Sequence, residues 1–328
     1  QRTPNYSIPA RNKKLTKEFI INFKKDYEKI KKLLKKTPGG HTFSFPNRSV
    51  FDFNNMERNK IYEKAWIKGS LAFRACFGDI TKNIKANKTA SNFIEKKILK
   101  IVKDKEVAKI LTNFDHPFTS KRPTLNTNYY ETFNKKNVQL VDLKSNPIIK
   151  ITKKGIKTKK NNFIFDKIIF ATGYDALTGP LLSLKLVGKN QTKLKDLWSK
   201  KPKTYLGIMI PKFPNLFIVQ GPGSPSVLTN VPVQIEQHVE WITNCLSFLE
   251  SKKKKSIEAS LSSAKKWSSE IKKLADASLF MKAKSSWYKG DNIPGKPKVF
   301  IPYPGGLPRY RNICNKVEIN QYKEFLIK

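Results

Sequence analysis

The chain has little of what a disulfide-stapled, zinc-bound or membrane-spanning protein requires. Its 328 residues include three cysteines and three histidines. Cys76, Cys245 and Cys314 lie far apart and form no CxxC pair, which argues against a disulfide framework or a zinc site and fits a reducing cytoplasm. His41, His116 and His238 are scattered, so no metal is expected. Apolar runs such as 167–170 and 205–210 fall far short of the roughly 20 residues a membrane helix needs. No secretory pattern opens the chain, and its first residue is Gln1 rather than Met, so its start is expected to lie upstream.

Acidic side chains are scarce as well: 25 Asp and Glu stand against 65 Lys and Arg, a formal charge of +40. Such an excess points towards polyanions. Arginine is scarce within it, however, at positions 2, 11, 48, 58, 74, 122, 309 and 311 only. Readers of bases and phosphates favour the Arg fork. The lysines are spread through the chain in short runs such as 252–255, the pattern of a solvated surface. No specific nucleic-acid partner is expected, and a basic polyanion-binding protein on a borrowed scaffold remains the alternative from another class.

What is present reads as α/β. From Leu15, the residues Phe19, Phe23, Tyr27, Ile30 and Leu34 recur at helical spacing, ending near Pro38-Gly39-Gly40. Thr89 and Ser91 are expected to cap a helix carrying Phe93, Ile94, Ile98, Leu99 and Val102, and Asp104 to cap another through Leu111. Residues 13–112 thus form a helical block. Strands are expected at 138–143, 148–151 and 163–165, with a turn at Lys154-Gly155. Buried strands are expected at 165–170 and 215–220, and a long helix from Val233 through Leu249 with further helix across 257–280.

Both of these buried strands run into glycine. Phe217 to Gln220 leads into Gly221-Pro222-Gly223-Ser224, whose bare backbone N–H groups suit an anion or a polarised carbonyl ahead of a helix. Ala171-Thr172-Gly173-Tyr174-Asp175 follows the other strand, where glycine permits close approach of a ligand or merely a tight turn. A pair of such turns raises the expectation of a nucleotide at the strand ends. Neither is a G-x-G-x-x-G fingerprint, and none occurs in the chain. Glu236, His238 and Glu240 read as the polar face of the long helix or as structural contacts.

Eight blocks occur in an order that resembles the Baeyer–Villiger monooxygenases, a class of flavin-containing monooxygenases. They are Gln1-Arg2-Thr3-Pro4-Asn5-Tyr6, His116-Pro117-Phe118-Thr119-Ser120-Lys121-Arg122, Asn128-Tyr129-Tyr130-Glu131, 171–179, 221–230, Ile235-Glu236-Gln237-His238-Val239-Glu240-Trp241, Ser286-Trp287-Tyr288 and Asn292-Ile293-Pro294-Gly295-Lys296-Pro297. The resemblance runs essentially end to end and is nearest the cyclohexanone and phenylacetone monooxygenase branch. It implies two dinucleotide-binding, Rossmann-like domains with a helical insertion, of which the C-terminal portion is present. Residues 1–12 would end the first part of the NADPH domain, 13–112 form the insertion, 113–165 complete the NADPH domain, and 166–328 belong to the FAD domain. Both glycine fingerprints and the FxGxxxHxxxW signature are expected before Gln1, so the chain alone is expected to bind FAD weakly and not turn over.

The resemblance also implies the chemistry. NADPH would reduce FAD, O2 would be captured as a C4a-peroxyflavin, and one oxygen atom would enter a ketone to give an ester or lactone. Arg122 would be the catalytic cation, since its guanidinium has no accessible neutral form. Arg2, Thr3 and Lys121 would hold the 2′-phosphate of NADPH. Trp287 would contact the nicotinamide cofactor. Ala171, Thr172, Gly173 and Asp175, with Gly221, Pro222, Ser224, Asn230 and Val231, would contact cofactor, and Ser226, Val227 and Leu228 would line the substrate pocket. An N- or S-oxidising flavin monooxygenase is the alternative within enzymes. Two departures stand out: Thr119-Ser120 replaces the family's Gly-Thr or Gly-small pair before Lys-Arg, and Pro304 stands where Val is common.

Overall fold

The computed structural model describes residues 4–328. In chain order the elements are β1 (Ser7–Pro9), α1 (Lys17–Lys25), α2 (Tyr27–Lys36), α3 (Asn55–Lys68), α4 (Ile84–Ile101), α5 (Lys105–Thr112), β2 (Thr124–Asn126) and α6 (Tyr129–Thr132). They continue as β3 (Ile148–Thr152), β4 (Gly155–Thr158), β5 (Asn162–Ile164), α7 (Gly179–Ser183), α8 (Leu194–Leu197), α9 (Val231–Ser251), β6 (Ile257–Ala259), α10 (Leu261–Asp276), α11 (Leu307–Ile319) and β7 (Phe325–Ile327). The class is mixed α/β, as the periodicities indicate.

Three apolar clusters hold these elements. The first joins Tyr6 and Ile8 around β1 to Tyr62, Phe73, Phe77, Ile94 and Phe118, so the helices α3 to α5 share one core with β1 and the segment after Pro117. In the second, α9, α10 and α11 pack through Trp241, Cys245, Trp267, Tyr310 and Cys314. A smaller third gathers Leu194, Trp198, Ile210, Phe213 and Ile218. All three cysteines are free and buried. Among the described residues no helix is long and apolar enough to cross a membrane, and no metal-ligating cluster occurs.

Several local readings hold. Asp104 caps α5 by accepting from Glu106 N and Val107 N, the turn expected at Lys154-Gly155 joins the antiparallel pair β3 and β4 one residue earlier, and α9 covers the expected long helix. Others need correction. The helix through Phe93 begins at Ile84 and is capped by Asn83, whose Oδ1 accepts from Lys85 N and Ala86 N; Thr89 lies inside it, its hydroxyl donating to Ala86 O. The first helix breaks at Asp26 into α1 and α2.

Three expected strands do not form. Residues 138–143 are irregular because Asp142 starts a turn, accepting Lys144 N on its carboxylate and Asn146 N on its carbonyl. Segment 215–220 contributes only an isolated bridge from Phe217 to Met209, because Asn215 and Gln220 have φ of 58° and 61°, outside strand geometry. Segment 165–170 is extended coil and exposed rather than buried, with Ile169 at 91% and, just beyond it, Tyr174 at 90%. Apart from Phe165 N, which donates to Lys154 O (3.0 Å), the segment joins no sheet among the described residues, and its apolar side chains find no core.

Candidate active site

The segment carrying Arg122 is held from both sides. Phe118 is fully buried, and the α4 residue Asn87 clamps its backbone: Phe118 N donates to Asn87 Oδ1 (3.0 Å) while Asn87 Nδ2 donates to Phe118 O (2.8 Å) and Ile80 O (2.7 Å). Thr119 then turns the chain with φ of 69°, a conformation a β-branched residue rarely adopts. Ser120 closes the turn onto Pro117 O through its N (3.2 Å) and Oγ (2.8 Å). On the other side Asn5 Nδ2 donates to Arg122 O at 2.9 Å.

The departure at Thr119 thus falls where the backbone favours glycine. Beside it, Lys121 Nζ lies 3.3 Å from Asp115 Oδ1, and His116 Nδ1 lies 2.8 Å from the same oxygen. Burial lowers the His116 pKa below its ordinary value. Arg2 and Thr3, expected with Lys121 around a phosphate, lie outside the described residues.

The Arg122 guanidinium reaches across to the loop before α9, where Nη1 donates to Val227 O at 3.2 Å. Between them opens a cavity of about 330 Å³, lined by Arg122, Val227, Leu228, the 3₁₀ turn at 279–282 and residues of the helical block. That volume is in the range of small-molecule sites. The cavity's charges are Arg74, Lys82 and Arg122, and no Asp or Glu is among its lining residues. His41 also lines it, and burial, with Arg74 and Arg122 nearby, pushes that imidazole down to about 4, so it is neutral at pH 7. Tyr288 is pushed up to about 12 by burial and stays a phenol.

Of the residues expected from sequence, Arg122, Val227 and Leu228 meet at this cavity. Ser226 is buried behind it with φ of 46°, its carbonyl accepting from Thr229. Trp287 is half-buried beside Tyr288, ring centres 4.7 Å apart, and it is Tyr288 that lines the cavity. Lys121, residues 171–175 and the turn 221–224 are not among the lining residues. Gly173 stands in open space, and Asp175 is paired with Lys296. Asn230 N donates to Gly39 O (2.8 Å), and Val231 O accepts from Gln220 Nε2 (2.8 Å), which seats the start of α9.

The glycines at 207 and 221 serve backbone-on-backbone packing. A Cβ at Gly207 would sit 2.3 Å from Ser224 N, and one at Gly221 would sit 2.5 Å from Gly207 O. Ser224 is fully buried: its N and Oγ both donate to Gly221 O, and its carbonyl accepts Tyr303 N at 2.7 Å.

His238 is not on the polar face of α9. It is fully buried, accepting Gln220 N at Nδ1 (3.1 Å), which leaves Nε2 to donate to the Tyr310 hydroxyl (2.8 Å), whose own proton goes to Leu206 O (2.5 Å). The imidazole therefore fixes where the chain leaves Gln220 for the cavity loop. Glu236 is exposed on the helix, and Glu240 lies 3.8 Å from Lys35 and 3.9 Å from Arg311.

No protein-family model matches the chain. Curated relatives do, across its whole length: it is 36% identical over 332 residues to the cyclohexanone 1,2-monooxygenase of Acinetobacter sp., covering 100% of this chain and 60% of that protein. It is 36% identical over 328 residues to the cyclopentanone 1,2-monooxygenase of Comamonas sp. strain NCIMB 9872, covering 99% and 60%. The chain is a homologue of the Baeyer–Villiger monooxygenases. The crystal structure of cyclohexanone monooxygenase from Rhodococcus sp. Phi1 bound to NADP+ superposes with a TM-score of 0.95 at 36% identity, covering 100% of this chain and 61% of that one. The chain spans about 60% of the length of the curated relatives it matches. Arg74, Lys82, His41 and Asn87 are the residues that reading for Baeyer–Villiger features passed over, and no local pattern marks them.

Proposed function

We propose that the protein is an FAD- and NADPH-dependent monooxygenase that inserts one atom of O2 beside the carbonyl of a ketone, giving an ester or lactone and water. The observation that carries this reading is Arg122: a permanent cation on the wall of a small cavity, with no carboxylate among the lining residues to quench it. Ala171, Thr172, Gly173, Asp175, Gly221, Pro222, Ser224, Asn230 and Val231 would contact the flavin, Trp287 the nicotinamide cofactor, and Arg2, Thr3 and Lys121 its 2′-phosphate. Val227 and Leu228 would face the substrate, with Ser226 buried behind them. The cations Arg2, Lys121 and Arg122, with the backbone N–H groups of the glycine turn, suit the phosphates and flavin oxygens of these groups, and the one carboxylate, Asp175, is paired with Lys296. When bound, the flavin supplies activation of O2 at the expense of electrons from NADPH.

The chain's own residues then do the following. Arg122 stabilises negative charge as it develops on the substrate oxygen, and because Tyr288 is held protonated, that neighbour brings no negative charge to neutralise the guanidinium. Leu71, Leu279 and Phe280 exclude water, which strengthens that interaction. Residues 13–112 would form an insertion, 113–165 the remainder of the NADPH domain and 166–328 part of the FAD domain. A cytoplasmic setting fits the three free thiols.

The test is ester formation from a ketone by the chain completed with the upstream segment expected to hold the glycine fingerprints and carrying FAD and NADPH, with and without Arg122→Ala. Loss of one positioned electrostatic donor costs roughly 100- to 1,000-fold in rate. An Arg122→Ala variant that makes ester at the unmodified rate overturns the assignment.

A further inference from the structure

Arg74 is not accounted for by the reaction above. It follows Phe73, a core residue of the helical block, and its Nε is buried without a hydrogen-bond partner. No ion pair involves Arg74 among the described residues; its guanidinium instead lies over the rings of Phe43 (5.8 Å) and Phe45 (5.9 Å). It shares the cavity with Arg122, which lies close enough to disfavour its charge, and with Lys82. Burial, a second cation nearby and a buried Nε without a partner oppose this charge, and the two rings offset them only in part, so an anion entering the cavity would pair with the guanidinium.

We propose that the substrate is an oxo acid, a ketone carrying a carboxylate, with the carboxylate held by Arg74 and supported by Lys82 while Arg122 faces the carbonyl. The inference rests on the reading of the site as a ketone oxygenation site. Three features favour it. The cavity's charge is entirely positive at pH 7, since His41 and Tyr288 are neutral there. The planar fork of Arg matches a carboxylate through two parallel hydrogen bonds. The cavity, at about 330 Å³ with a largely apolar lining, suits a short-chain acid better than a dinucleotide phosphate.

The experiment compares 5-oxohexanoate with its methyl ester, which keeps the ketone and removes the charge, using the chain completed by the upstream segment expected to hold the glycine fingerprints and loaded with FAD and NADPH. The unmodified protein is expected to prefer the acid by about 10-fold or more in kcat/KM. Arg74→Gln is expected to lower that acid-to-ester ratio by roughly 10- to 100-fold, Arg74→Lys, which keeps the charge but not the fork, to retain part of it, and Lys82→Gln to lower it less. Retention by the Lys variant separates charge recognition from misfolding of the cavity.

Equal turnover of acid and ester by the unmodified protein overturns the proposal, as does a ratio that Arg74→Gln leaves unchanged. A weakened NADPH affinity in Arg74→Gln with the ratio intact would assign the cation to a cofactor phosphate and overturn it equally. If neither ketone is oxygenated, the reading of the reaction fails, and calorimetric binding of 5-oxohexanoate decides the anion site. Binding that disappears in Arg74→Gln supports it, and no binding to the unmodified protein rejects it.

Discussion

His238 makes the protein sensitive to mild acid. Burial pushes its pKa from the usual 6.5 down to about 4, and the hydrogen bonds explain what protonation breaks: Nδ1 already accepts Gln220 N, so an added proton there would face another N–H. As pH falls below 6.5 the unfolded chain takes up this proton while the folded protein does not, so stability declines from about pH 6.5 down to pH 4 and then levels. A displacement of about 2.5 at ~1.4 kcal/mol for each pH unit gives a loss of about 3 kcal/mol from this residue. That is a large fraction of a typical 5–15 kcal/mol folding free energy. His116 and His41, whose pKa values are also lowered, add losses of the same sign. The assay is urea denaturation at pH 7, 6, 5 and 4 for the unmodified protein and for His238→Asn, whose Oδ1 accepts Gln220 N without titrating. The variant should start about 1–2 kcal/mol less stable at pH 7, having lost the bond to Tyr310, and should then lose distinctly less on acidification. Parallel curves for the two proteins across pH 7 to 4 would refute the argument.

Three further outcomes follow from the backbone around the cavity. Thr119→Gly relieves a φ of 69° at a β-branched residue and should stabilise the protein by about 0.5–1 kcal/mol, after allowing for the extra freedom of glycine in the unfolded chain; a lowered denaturation midpoint would contradict the strain. Gly207→Ala drives a Cβ to 2.3 Å from Ser224 N at a φ of 70° and should cost several kcal/mol, on the order of 3, read as a fall in Tm. Asn87→Ala strips the clamp from Phe118 N, Phe118 O and Ile80 O and should cost about 3 kcal/mol, while lowering the rate of the loaded enzyme by loosening Arg122. Unaltered stability in that variant would show that the clamp is dispensable.

What was legible in the sequence was local or carried by ordered blocks. Asp104 caps α5, the turn expected at Lys154-Gly155 falls one residue earlier between β3 and β4, and Ile242, Cys245 and Leu249 of α9 pack inward while Val239 and Leu246 stay exposed; a cap, a hairpin and a helix face each involve residues a few positions apart. The eight blocks, taken together, pointed to the Baeyer–Villiger homologues that match the chain and, through that resemblance, to Arg122 among eight arginines as the candidate. Periodicity misled where a strand depends on a neighbour: 165–170 has strand composition, yet a strand is stable only when paired and covered, and it joins no sheet among the described residues. Only the tertiary structure showed that Asn87 grips Phe118, that Gly207 and Gly221 touch through their backbones, and that Arg74 shares a cavity with Arg122 from 48 positions earlier in the chain. The physical reason is that these are contacts between residues with no common period or spacing. Burial and unpaired charge, which make Arg74 informative, arise only when residues 38–45, 71–82 and 119–123 and the loop before α9 close around one space.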